Sequence, residues 1–151
     1  MTSDRGVSTV VGYVVTLGVT SLLVTGLLIA AGGYVQDQRE ATVREELKVI
    51  GQRLSGDVSA ADRIGHVGAP SDVRVRRTLP TETAGTTYSI RLTDSGGAAR
   101  LVLSADSPSV EVTVPVALSE DTVVADSGAG AGDIVVSFDP GSPNEVTIAN
   151  G

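Results

Sequence analysis

Residues 7–36 read VSTVVGYVVTLGVTSLLVTGLLIAAGGYVQ, thirty positions without one charged side chain. A bilayer core needs about 20 consecutive apolar residues to be crossed by a helix. The apolar core of a cleaved secretory signal is shorter, about 7–15 residues, although Ala30-Ala31-Gly32 offers the small residues that such a cleavage site uses. The run therefore predicts a hydrophobic transmembrane helix over 7–36. Tyr34 lies near its far end, where an amphipathic ring suits the membrane–water interface. Ser8, Gly12, Thr16 and Thr20 recur every four residues, and Gly18 and Gly26 flank Leu22 at the same spacing. Small residues in this rhythm are expected to line one helix face and let neighbouring helices approach closely.

Downstream the helical period persists but becomes amphipathic. Val43, Leu47, Ile50, Leu54, Val58, Ala61 and Ile64 step by three or four, with Arg39, Glu40, Arg44, Glu45, Lys48 and Arg53 between them. No proline interrupts residues 7–64, so residues 37–64 are expected to continue the first helix. Gly32-Gly33 is the expected place for a bend, and Gly65, Gly68 and Pro70 end the helix in a linker over 65–72.

From residue 73 to 151 the period changes to two. VRVRR (73–77), TYSIRLT (87–93), RLVLSA (100–105), VEVTVPVAL (110–118), TVVAD (122–126), DIVVSFD (133–139) and EVTIAN (145–150) alternate apolar with polar residues between turn signals. Pro115 predicts an edge position or a bulge. The glycine-rich SGAGAGD (127–133) reads as a flexible hairpin connection. The expected fold class is α+β: a long N-terminal helix, transmembrane then amphipathic, packed on a small antiparallel C-terminal β-sheet or sandwich. The stripe from Val43 to Ala61 is expected to complete the thin core of that sheet.

Charge and composition narrow the function. The net charge is −7, with ten arginines and the single lysine Lys48. Residues 65–151 carry eleven acidic groups against five basic ones. This balance argues against nucleic acid and suits a halophile's salty medium. There is no cysteine, which excludes disulfides, thiolate metal sites and cysteine nucleophiles. His66 is the only histidine and falls in the turn-like GHVGAP, where it reads as an exposed loop residue rather than a catalytic base. Asp126, Asp133 and Asp139 lack the ligand spacing of a calcium loop. The expectation is a protein that is not an enzyme, with no cofactor and no metal.

Arg5-Gly6 stand directly before Val7-Ser8-Thr9-Val10-Val11-Gly12. With this short polar leader, the long helix and the β domain behind it, the chain resembles the archaeal type IV pilin-like (prepilin and pseudopilin) family, and within it the haloarchaeal branch. The resemblance implies that residues 1–6 are a class III leader peptide, cut between Gly6 and Val7 by a prepilin peptidase. Arg5 would be the basic recognition residue and Gly6 the small residue before the scissile bond. Bacterial-type pilins carry glutamate at the fifth position after the cut; here that residue is Val11, as is frequent in the archaeal branch. The implied function is a structural subunit, major or minor, of an archaeal pilus or related cell-surface filament. Its partners would be the peptidase, other pilin-like subunits, and the membrane before assembly. The precursor would sit in the cytoplasmic membrane with its N-terminus inside. The alternative is an unprocessed membrane-anchored surface protein whose β domain binds a partner or ligand.

Overall fold

The computed structural model describes the backbone of residues 3–67 and 72–151, with side chains in the helix described from Val10 onward. The chain divides into two compact units, Met1–Gln38 and Arg39–Gly151. Helix α1, Ser3–Gly65, contributes to both. Gly32 and Gly33 are both helical, so the expected bend does not interrupt the assigned helix. A glycine costs only about 1 kcal/mol against alanine inside a helix, and the flanking Leu27, Leu28, Ala30 and Ala31 are good or fair helix formers.

The described residues of the second unit form eight strands: β1 Val73–Thr78, β2 Tyr88–Asp94, β3 Ala99–Asp106, β4 Ser109–Pro115, β5 Thr122–Val124, β6 Ser127–Gly130, β7 Asp133–Asp139 and β8 Asn144–Asn150. They form two four-stranded sheets, ordered β1-β7-β8-β5 and β4-β3-β2-β6. All pairings are antiparallel except β5 with β8, which is parallel. β5 and β6 are successive pieces of one stretch: Thr122–Val124 pairs with β8, and Ser127–Gly130 pairs with β2. Asn150 Oδ1 accepts from the Gly130 amide at 2.9 Å, and Ser127 Oγ accepts from the Ile148 amide at 3.0 Å. These side-chain bonds join the sheets where the backbone ladder changes partner.

The SGAGAGD segment is thus no flexible connection. Ser127 to Gly130 is a paired strand, and only Ala131 and Gly132 make the turn, with Gly132 at φ 111°. Ala129 points into the core, while glycine occupies the outward positions 128 and 130. Glycine there removes the polar half of the alternation by which strands are recognised.

One core serves both sheets and the helix. Val43, Leu47, Ile50, Leu54, Val58 and Ala61 of α1 are buried with Ile90, Leu92, Leu101, Leu103, Ile134, Val136, Phe138, Val146 and Ile148 of the strands. Gly51 lets the helix approach β3 and β4, for a Cβ there would stand 2.8 Å from both Leu103 and Val114. The helix also runs beside both outer edges. Ser55 and Ser59 donate at 2.8 Å to the carbonyls of Pro115 and Ala117, beside edge strand β4. Asp57, about 200° round the helix from Ser55, receives Arg77 of edge strand β1 through Nε at 2.7 Å. Edge strands carry unpaired backbone groups that must be covered or blunted; α1 satisfies the carbonyls of Pro115 and Ala117 at the end of β4 and holds the Arg77 side chain of β1. Pro115 closes β4 at the sheet edge.

Two glycines of α1 give opposite expectations. A Cβ on Gly65 would overlap the Phe138 ring, whereas one on Gly56 meets nothing within 4 Å. Gly65→Ala should therefore destabilise by about 1–3 kcal/mol through overpacking. Gly56→Ala should stabilise by about 1 kcal/mol through helix propensity. Thermal unfolding of the full chain in detergent checks both signs.

Candidate functional site

Residues 10–36 of α1 expose their large apolar side chains. The segment is long and apolar enough to cross a membrane. Its large side chains stay exposed: Leu22 is 75% accessible and Leu27 70%. A Cβ built at Gly12, Gly18, Gly26, Gly32 or Gly33 meets nothing within 4 Å. Hydroxyl groups in such a segment must be satisfied before it can enter an apolar medium. The described threonine hydroxyls are satisfied along the helix itself. Thr16 Oγ1 donates to the Gly12 carbonyl at 2.9 Å, Thr20 to Thr16 at 2.8 Å, and Thr25 to Ser21 at 2.9 Å. Folded back in this way, threonine presents mainly its methyl group and leaves the helix surface low.

The small residues lie on two faces rather than one. At about 100° per residue, Gly12, Thr16 and Thr20 fall within about 80° of one another. Gly26 falls about 40° to the other side of Gly12 and joins that face, whereas Gly18, Ser21 and Thr25 occupy an arc roughly 180–240° round from Gly12. A common spacing of four hides this, because Gly12 and Gly18 differ by six positions. Arg5, Gly6, Val7 and Ser8 belong to the α1 backbone, but their side chains lie outside the described residues.

Further along α1, the stripe Val43, Leu47, Ile50, Leu54, Val58 and Ala61 is 0–6% accessible. This segment anchors the β strands. The helix end adds a polar clasp that sequence reasoning missed. Asp62 is 2% accessible. Its carboxylate accepts from the Ser119 amide at 3.0 Å, the Ser119 hydroxyl at 2.8 Å and the Thr122 hydroxyl at 2.6 Å. Asp62 sits beside Ala61 at the margin of the apolar stripe, which is the one signal that could have marked it. Its partners are almost 60 residues away in sequence.

His66 is correspondingly not an idle loop residue. Its Nδ1 lies 2.7 Å from the Asp62 carbonyl and its Nε2 2.9 Å from Asp121 Oδ1. Its ring meets Phe138 edge-on at 5.5 Å between centroids. Asn144 donates to the other oxygen of Asp121 at 3.1 Å. The arrangement couples the helix end to the β4–β5 loop and to β8. Hydrogen bonding to the Asp62 carbonyl, and then to Asp121, raises the His66 pKa above its ordinary 6.5. The same contact with His66 lowers the Asp121 carboxyl below its ordinary 3.8. Among the described residues no group of three acidic, histidine or cysteine side chains is arranged to hold a metal ion.

By its sequence the chain belongs to the Family of unknown function (DUF7266), whose model matches residues 2–149. No curated protein and no solved structure matches it.

The clasp carries a pH signature. The contribution of His66 is complete below its ordinary 6.5 and is lost as pH rises through its raised value. That of Asp121 is present above its ordinary 3.8 and is lost as pH falls through its lowered value. Stability from this pair is therefore greatest between those two limits. The thermal midpoint of the full chain in detergent should fall from about pH 6 to about pH 8.5 as the imidazolium loses its proton. His66→Gln should remove that part of the slope.

Proposed function

We propose that this protein is a non-enzymatic, pilin-like structural subunit of a cell-surface filament. Its precursor resides in the cytoplasmic membrane with the N-terminus inside, and a prepilin peptidase cuts it between Gly6 and Val7. The supporting observation is the division of labour along α1. One segment buries its apolar stripe against the β strands, and the other exposes apolar and small residues with its threonine hydroxyls already satisfied. A free membrane anchor needs only apolar length. Small residues on two separate faces suit a helix with neighbours on more than one side, which is what a filament core requires. Once the polar residues before Val7 are removed, such helices exchange lipid for one another with no buried charge to desolvate. The β domain, borne on the far end of the same helix, then faces outside. No catalytic role is assigned to any residue in this reading.

The N-terminus tests this reading directly. Intact-mass measurement on protein from native membranes or shed surface material should find a chain beginning at Val7. Arg5→Ala and Gly6→Val should leave the precursor uncut. A wild-type chain beginning at Met1 or Thr2 would identify an unprocessed anchor instead. Gly12→Leu should still insert and be cut, but should assemble poorly, read as loss of filaments by electron microscopy.

A further inference from the structure

The β domain bears two oppositely charged surfaces that the fold leaves unpaired. The first is a groove of about 230 Å³ between α1 and the segment after β1. Val49, Ile50 and Pro80 form its apolar part, and Glu45, Glu46 and Glu82 supply three carboxylates. Among the described residues none of the three is in an ion pair. Glu46 is held in place by the Thr83 hydroxyl. Beyond the groove the chain turns tightly at Ala84-Gly85, both with positive φ, closed by the Thr83–Thr86 bridge. An apolar floor beneath several carboxylates fits an arginine, whose stem is aliphatic and whose head is a fork of donors.

The second surface is the face of the β4-β3-β2-β6 sheet turned away from α1. Arg91 on β2 and Arg100 on β3 both point outward, in adjacent rows of neighbouring strands. Both are exposed, and among the described residues neither has an ion-pair or hydrogen-bond partner. Beside Arg91 the outward positions of β6 are Gly128 and Gly130, which leave a trough of about 640 Å³ that Glu111 of β4 also lines, so that this face sets two arginines against one carboxylate. The groove belongs to the helix side of this sheet and the arginines to its other side. A contact between two such different surfaces is heterologous, and when its rotation does not close into a ring it propagates into a filament.

We propose that the Arg91–Arg100 face of one copy docks on the Glu45–Glu82 groove of a second copy, with the turn after Pro80 entering the glycine trough. The contact deepens the filament reading and rests on it for its biological setting, but it involves the β domains and not the helix faces. Opposite charge supplies orientation, because two like faces brought together would set carboxylate against carboxylate or arginine against arginine.

The absence of cysteine gives a clean background for the test. Glu82→Cys and Arg91→Cys, singly and together, are oxidised with copper–phenanthroline in native membranes and surface material, and the N-terminal mass is read from the same sample. The double variant should give a ladder of trimers and larger species, while each single variant stops at dimer. Charge reversal serves as a second measurement: Glu82→Arg or Arg91→Glu alone should abolish assembly of the ladder-forming material, and the two reversals together should restore it. Monomers or dimers only, in material that begins at Val7 and contains filaments, would overturn the docking and leave the filament reading standing. A ladder in chains that begin at Met1 would retain the docking and overturn the processing. Monomers in chains beginning at Met1 would remove both.

Discussion

Burial of the Val43–Ala61 stripe is the interaction on which the β domain depends. Two sheets of short strands, with Phe138 and Tyr88 as their only aromatic residues, have too little apolar side-chain volume to close a core face to face. A helix solves the shortage by supplying a complete row of aliphatic groups to both sheets. Each fully buried Val, Leu or Ile contributes on the order of 1.5–3 kcal/mol relative to exposure. The stripe therefore carries a share of the stability comparable with a small domain's total margin. The same helix ties down the ends of two edge strands, with Ser55 and Ser59 bonded at the end of β4 and Asp57 paired with Arg77 of β1. A cut or a break within 43–61 would expose the core and release those strand ends together.

The two halves of α1 differ in what they bury. Among the described residues, the unit ending at Gln38 has exposed apolar side chains, and the buried hydrophobic residues fall in the unit beginning at Arg39. The strands fix one helix segment, while the other exposes apolar side chains along its described length.

The polar contacts at the helix end add specificity where apolar packing offers none. Burying the Asp62 carboxylate is costly unless its oxygens are well supplied with donors. It receives three hydrogen bonds from Ser119 and Thr122. His66 then continues the network to Asp121 and Asn144, so that the last turn of α1, the β4–β5 loop and the start of β8 meet in one register.

The sequence by itself determined the end of the uncharged run at Asp37, the helical period to Ile64, the strand period beyond Val73 and the stripe that faces the core. Each of these is a local repeat, set by 3.6 or 2 residues per turn of pattern and so readable from one segment at a time. Only the tertiary structure decided which strands pair, that β5 runs parallel to β8, and that the glycines of 127–130 form a strand rather than a loose turn. Strand order rests on contacts between distant segments, and a strand whose outward residues are glycine lacks the alternation that would betray it. The clasp at Asp62 and His66 was hidden for the same reason. A single aspartate and a single histidine acquire a role only when Ser119, Asp121, Thr122 and Asn144 are folded against them.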